Sequence, residues 1–398
     1  MGFQSVRDLD VRGHRVFLRA DLNVPLKEGR ITDATRVRET LPTLKHLLEN
    51  GASVVLASHL GRPEGKGFEA AYSAAPVAAW LKEQGLDCRL ASYVNGAAVE
   101  AEAAALKPGQ ILLLENLRFE KGETKNQEDF AASLAKLADT YVNDAFGAAH
   151  RAHASVSGMV GHFQKDRVAA GFLMEKELKA LAKVTENPDK PLVVIFGGAK
   201  VSDKIELIQN FLGKAEAILI GGAMSYTFLR AQGFVIGKSL CEADKLGLAL
   251  DLLDQAQAKG TRLMLPLDHV VAGAFKEDAD CAITQDQNIP EDQMALDIGP
   301  ETVAAYAAEI RAAKTLLWNG PMGVFEMAPF ASGTLSMAEE LADAADKGAF
   351  VLVGGGDSVA AVNKAGVASR MSHVSTGGGA SLEYLSGLEL PGVAALSR

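Results

Sequence analysis

The chain has 398 residues, 48% of them hydrophobic and 23% charged, with a net charge of −10. That composition is globular, and the length is too great for one ordinary core, so two domains are expected. The acidic balance makes nucleic acid and anionic membrane poor partners, and no apolar run approaches the ~18 uncharged residues of a membrane span. The cysteines Cys88, Cys241 and Cys281 lie far apart with no CxxC pair, which argues against a disulfide framework or structural zinc and fits a reducing compartment.

The opening Met-Gly-Phe-Gln-Ser-Val has neither a signal-peptide nor a transit-peptide pattern, so a cytoplasmic protein is expected. Strand patterns begin at 16–18, and the amphipathic stretch 34–50 follows, with Gly51 placed to end it as a C′ residue. Further strands are predicted at 53–57, 111–114 and 140–143. A charged helix over 173–186 carries Met174, Leu178 and Leu181 on one face, and Asn187-Pro-Asp-Lys breaks it. Five more strands follow at 192–196, 217–220, 262–266, 315–318 and 350–353. All are near-continuous in Val, Ile and Leu, as parallel strands covered on both faces should be. The expected fold is α/β, with two doubly wound, Rossmann-like parallel-sheet domains joined by a hinge helix. The domain bounds are set at 1–172 with the tail 386–398, and at 173–385.

Ligands in such sheets bind beyond the carboxyl ends of the strands. Residues 1–170 hold 12 arginines against 5 in the remainder. In that part the strands run into Arg19-Ala-Asp21-Leu-Asn23, Ser58-His59-Leu-Gly61-Arg62, Glu115-Asn-Leu-Arg118 and Asn143 onward to His150-Arg151. Arg36 stands at a helix start, where the dipole does not help a cation unless an anion lies between them. Guanidinium forks match carboxylate and phosphate, and Asp21 and Asn23 can meet hydroxyls, so this set suits a small anionic metabolite. His150 and His153 lack a third metal ligand and are read as a phosphate or structural pair.

The later strand ends are rich in glycine: Gly197-Gly198-Ala-Lys200, Gly221-Gly222, Asn319-Gly-Pro321, Gly354-Gly355-Gly356-Asp357-Ser358 and Thr376-Gly-Gly-Gly379. Glycine lets backbone N–H groups approach an anion, and a following helix offers its positive end. Five such turns read as a site for a phosphate-rich ligand, most simply a nucleotide. Lys200 and Lys204 are four apart and are placed on one face of a helix start, either bridged by an anion or separately solvated. Asp357 reads as a magnesium contact, as the N-cap of a helix beginning at Ser358, or as both. Gly237-Lys-Ser mimics the end of a P-loop, but Gln232 stands where that motif requires glycine. No GxGxxG fingerprint opens either half.

Eight stretches together resemble the phosphoglycerate kinase family. They are Arg19-Ala-Asp-Leu-Asn-Val-Pro25, Ser58-His-Leu-Gly-Arg-Pro63, Glu115-Asn-Leu-Arg-Phe119, Ala149-His-Arg-Ala-His153, Gly197-Gly-Ala-Lys-Val-Ser-Asp-Lys-Ile205, Trp318-Asn-Gly-Pro-Met-Gly-Val-Phe-Glu326, Gly354-Gly-Gly-Asp-Ser358 and Ser375-Thr-Gly-Gly-Gly-Ala-Ser-Leu-Glu383. They occur in order over essentially the whole chain. The resemblance implies reversible, Mg²⁺-dependent transfer of the acyl phosphate of 1,3-bisphosphoglycerate to ADP, giving 3-phosphoglycerate and ATP, by domain closure and charge neutralisation. It further implies that Asp21, Asn23, Arg36, His59, Gly61, Arg62, Arg118 and Arg151 bind the phosphoglycerate. Gly197, Gly198, Lys200, Lys204, Gly221, Gly222, Asn319, Pro321, Glu326, Gly355, Gly356, Asp357 and Ser358 would hold the nucleotide, with Glu326 on the ribose and Asp357 reaching Mg²⁺. Arg36, Lys200, Gly356 and Gly379 would serve the moving phosphoryl group. The resemblance also implies a monomer whose tail returns to the first domain. Position 358 is Ser where many members have Thr, and the hydroxyl is kept. Phosphoryl transfer of this kind asks for positioning and charge neutralisation more than for a nucleophile and base. A non-catalytic two-lobed binding protein is the alternative, and a dehydrogenase would need the missing dinucleotide fingerprint.

Overall fold

Runs of Val, Ile and Leu that are buried on both faces become the central strands of two six-stranded parallel sheets. The computed structural model describes residues 2–397. Its contacts separate two units, one reaching Leu178 and regaining the chain from Glu389, the other Lys179–Leu388. The helix Phe172–Thr185 carries the chain from one to the other.

In the first unit the sheet order is Cys88–Leu90, Ile111–Leu113, Ser53–Ala57, Arg15–Ala20, Thr140–Asp144, Val168–Ala170, all parallel. In the second it is Arg262–Met264, Ala217–Ile220, Leu192–Phe196, Thr315–Asn319, Phe350–Val353, His373–Val374, again all parallel. The sequence reading did not anticipate Cys88–Leu90, Val168–Ala170 or His373–Val374. These are outer strands of two or three residues, too short to form an apolar run. It also missed an antiparallel sheet of His269–Ala272, Cys281–Ile283 and Met294–Ile298, whose middle member in sequence is fully exposed.

The expected first helix forms as Thr35–Glu49, and Gly51 follows it with φ +84°. The tail segment Pro391–Ala394 belongs to the first unit. There the Gly392 N–H donates to the Ala149 carbonyl at 2.8 Å, and Leu390 and Leu396 are buried.

Candidate functional site

Four adjacent strands of the first sheet, Ile111–Leu113, Ser53–Ala57, Arg15–Ala20 and Thr140–Asp144, end side by side because they are parallel. Their carboxyl ends therefore gather the cationic stretches singled out in the sequence. Arg36 lies in the first turn of Thr35–Glu49, and its Nη1 is 2.6 Å from Asp21 Oδ2. That carboxylate is the anion its position at a helix start requires. Asn23 Oδ1 accepts the Gly61 N–H at 2.8 Å, and the Gly61 carbonyl accepts Arg118 Nη1 at 2.8 Å. Gly61 has φ +56°, and a Cβ there would come within 2.5 Å of the Tyr72 ring, so no other residue fits this turn.

Arg62 and Arg151 are exposed, and Arg151 Nε donates to His150 Nε2 at 3.1 Å. Arg118 is half-buried, and its Nε is buried with no hydrogen-bond partner. Burial, and then the charges of Arg19, Arg151 and Arg62, hold its guanidinium below the usual range, against the opposing pull of Glu123. A guanidinium with a spare donor among like charges is a place for an anion. His59 is buried, and burial followed by the charges of Arg19, Arg118 and Arg36 depresses it well below the ordinary histidine range. His153 is pushed down to about 4 by burial and by Arg118, Arg19 and Arg151. Among the described residues no group of three or more His, Cys, Asp or Glu is placed to hold a metal ion.

In the second unit the five glycine-rich turns leave five neighbouring strands, Ala217–Ile220, Leu192–Phe196, Thr315–Asn319, Phe350–Val353 and His373–Val374. Three of the turns interlock. The Gly197 N–H donates to the Asn319 carbonyl at 3.0 Å, Gly198 to Pro321 at 3.1 Å, Gly221 to Phe196 at 2.8 Å and Gly222 to Met322 at 2.8 Å. These four N–H groups are thus engaged within the protein, and a Cβ on Gly197 would lie 2.0 Å from the Pro321 carbonyl. Here glycine serves close backbone packing rather than donation to a ligand. Open donors lie instead at the helix Gly356–Lys364, whose leading N–H groups have no partner inside the helix. Gly379 begins the shorter helix Gly379–Leu385.

Lys204 donates to Asn319 Oδ1, and Asn319 Nδ2 donates to the Gly354 carbonyl at 2.7 Å. Ser358 is buried and its Oγ accepts the Gly320 N–H at 2.6 Å, so that hydroxyl ties two turns together. Burial holds the Lys204 ammonium below its usual range, while Asp203 and Asp357 act to raise it. Two expectations need correction. The helix after Lys204 starts at Ile205, so Lys200 stands exposed in the preceding loop and the lysines do not share a helical face. The helix at Asp357 starts at Gly356 with Gly355 as its N-cap. Asp357 is therefore inside the first turn and exposed, not a cap. The three-glycine run begins the helix earlier than a capping Asp would.

Beside these turns opens a cleft of about 440 Å³. Tyr226, Leu240, Phe275, Leu296 and Val324 give it apolar walls, with Glu326 and Asp357 at its polar side. Such a cleft accepts a flat heterocycle, offers a carboxylate to hydroxyls, and leads to a helix N-terminus and a lysine suited to phosphates. Sequence reasoning missed its apolar walls. Leu240 and Phe275 sit in loops whose local pattern marks nothing. Lys238 and Ser239, from the dismissed P-loop mimic, line it as well. In the first unit the reading missed Glu123 and Ser155. It quoted Arg19 only as part of a strand end, although Arg19 is fully buried behind His59.

The family model described as phosphoglycerate kinase matches residues 6–388. The phosphoglycerate kinase of Chloroflexus aurantiacus is 53% identical over 400 residues, covering 100% of this chain and 99% of its own. That of Moorella thermoacetica is 54% identical over 396 residues, covering 99% and 98%. Among solved structures, phosphoglycerate kinase from Coxiella burnetii superposes with a TM-score of 0.92 at 41% identity, covering 99% of this chain and 98% of its own. The enzyme from Pyrococcus horikoshii gives 0.80 at 32% identity, with the same coverage.

Proposed function

The chain belongs to the phosphoglycerate kinase family, and on that premise we propose how its residues divide the reaction. The enzyme is a glycolytic kinase that moves the acyl phosphate of 1,3-bisphosphoglycerate to ADP, reversibly giving 3-phosphoglycerate and ATP. Phosphoglycerate binds at the arginine-lined strand ends of the first unit, on Asp21, Asn23, Arg36, His59, Gly61, Arg62, Arg118 and Arg151. The observation that carries this is the buried, unpartnered Nε of Arg118 among like charges. The nucleotide lies in the apolar cleft of the second unit, with Glu326 toward the ribose and the phosphates at Lys204 and the Gly355–Ser358 turn. Gly198, Gly222 and Pro321 line that cleft, while Gly197, Gly221 and Asn319 lie in the hydrogen-bonded turns that carry them. Arg36, Lys200 and the helix starts at Gly356 and Gly379 steady the phosphoryl group.

ADP and ATP are the nucleotides, and Mg²⁺ travels with them. One exposed carboxylate, Asp357, beside the phosphate site fits an ion that takes one or two protein carboxylates and completes its shell with phosphate oxygens and water. Bound there, the ion would neutralise developing phosphate charge. The net charge of −10 disfavours nucleic acid. Among the described residues no helix is long and apolar enough to cross a membrane. We take the working form to be a cytoplasmic monomer, which sedimentation would check.

Calorimetry on two variants tests the division of ligands. Arg118→Ala should lose 3-phosphoglycerate binding and keep ADP binding, and Glu326→Ala should do the opposite. A variant that loses both ligands, or the wrong one, removes the assignment.

A further inference from the structure

His59 sits among guanidinium groups, where a second cation would add to the repulsion. Its Nδ1 lies 3.2 Å from Arg19 Nη2. A guanidinium only donates, so Nδ1 accepts that bond and carries no proton, and the ring hydrogen is on Nε2. Arg19 cannot turn away to relax this arrangement. It is fully buried, its Nη1 donates to the Ala20 carbonyl, and its Nε donates to Ser155 Oγ at 2.8 Å. The Ser155 hydroxyl in turn has one direction available. Glu123 Oε1 lies 2.6 Å away and accepts its O–H, while Oε2 accepts the Ser155 backbone N–H at 2.9 Å. Glu123 is itself fully buried, with His153 Nδ1 4.0 Å from Oε1. Every donor from Arg19 through Ser155 to Glu123 therefore points the same way. Arg118, Arg36 and His153 also act on the His59 ring.

We infer that Glu123, Ser155 and Arg19 are positioning residues that fix His59 as the neutral Nε2–H tautomer, so that it offers phosphoglycerate a directed N–H donor rather than a charge. This rests on the reading of His59 as a ligand-binding residue. A phosphate or carboxylate oxygen accepts from an N–H, whereas the opposite tautomer would set a ring lone pair against the anion. Glu123 matters because a neutral acceptor would let the Ser155 hydroxyl reverse and leave the buried Arg19 Nε without a partner.

The ring can be read directly in the full chain labelled with ¹⁵N-histidine, with His59→Gln identifying its signals. We expect a protonated Nε2 and an unprotonated Nδ1 that stay unchanged from about pH 5.5 to 8, the window in which an ordinary histidine titrates. A ring protonated on Nδ1, or one that titrates in that window, overturns the inference. In Ser155→Ala the ring should exchange tautomers or begin to titrate. KM for 3-phosphoglycerate should rise about tenfold, the scale of one hydrogen bond to a charged group, with kcat less affected. Ser155→Thr keeps the hydroxyl and should restore both. If Ser155→Ala does not fold, Glu123→Gln supplies the same readout. A folded variant of either kind with an unaltered ring shows that the chain does not hold the tautomer. Adding 3-phosphoglycerate to the wild type should shift Nε2. If Nε2 stays put in a ring of the expected tautomer, the ligand role of His59 fails while the tautomer chain stands.

Discussion

Arg36 occupies the first turn of a helix, where the positive end of the dipole opposes it, and Asp21 at 2.6 Å compensates. A transferring phosphoryl group carries the charge that would draw this guanidinium away from Asp21. Cations that neutralise such a group are worth about 10³–10⁵ in rate. Arg36→Ala should therefore lower kcat by at least about 10³ while leaving ADP affinity nearly unchanged. A steady-state assay retaining more than about a tenth of wild-type kcat would remove the role, since a tenth corresponds to only about 1.4 kcal/mol of barrier. Asp357 makes a second case. It is exposed and does not cap its helix, so no capping duty masks the effect of replacing it. Asp357→Asn should weaken MgADP binding far more than metal-free ADP binding in calorimetry. Equal losses would leave the carboxylate without a metal role.

At the scale of the element, the first turn of the helix Phe172–Thr185 is held from outside. Asp144 Oδ1 accepts the N–H groups of Leu173 at 2.8 Å and Met174 at 3.1 Å, and the Phe172 N–H donates to Thr43 Oγ1 at 2.9 Å. Burial pushes this carboxyl up to about 6, outweighing the Thr43 hydroxyl and the two N–H donors, which favour its charge. The folded state therefore binds a proton that the unfolded chain has already released. The resulting stability is complete below about pH 4, the unfolded range, and is lost as pH rises through about 6, in all about 3 kcal/mol. Asn at this position keeps the accepting oxygen and cannot ionise. Asp144→Asn should match the wild type in urea unfolding near pH 4 and exceed it in stability by up to about 3 kcal/mol at pH 8. A difference that is constant with pH would show that Asp144 does not titrate on unfolding.

At the scale of the molecule, the first unit is assembled from both ends of the chain. Leu390 is 2% exposed and Leu396 is 5% exposed, and burying a leucine contributes about 1.5–3 kcal/mol. Ending the chain after Ser386 should therefore destabilise the first unit by a few kcal/mol and impair turnover. The cleft proposed for the nucleotide is built wholly from Lys179–Leu388, so ADP should still bind with near-normal affinity. Loss of ADP binding in the shortened chain would contradict this independence. Transfer also requires the reacting atoms to come within about 3–3.5 Å of each other with water excluded, yet the two proposed ligand sets belong to different units. The radius of gyration in solution should accordingly fall most when 3-phosphoglycerate and nucleotide are both present. One radius in all four ligation states would mean that no closing motion accompanies binding.

Eight central strands and the edge strand at Arg262 were legible in the sequence, since a strand covered on both faces must be apolar along its length. So were the residues at their carboxyl ends, because parallel strands bring consecutive loops to one edge, and arginines recur there in the first part of the chain and glycines in the second. His59, Arg118, Lys204 and Asp357 could each be named from that rule. What each one does was decided by partners far away in the chain. Arg19 meets Ser155, 136 residues on, and through it Glu123, and Asp144 meets the helix that starts at Phe172. The glycine turns at Gly197 and Gly221 had to be seen folded before it was clear that their N–H groups go to the carbonyls of Asn319, Pro321, Phe196 and Met322. Leu240 and Phe275 become cleft walls only when their loops are set beside the sheet. Local pattern reports whether a residue prefers water or a core and which backbone it tolerates. The direction of a hydrogen bond, the tautomer of a ring and the protonation of a buried carboxyl depend on which distant groups the fold places within a few ångströms.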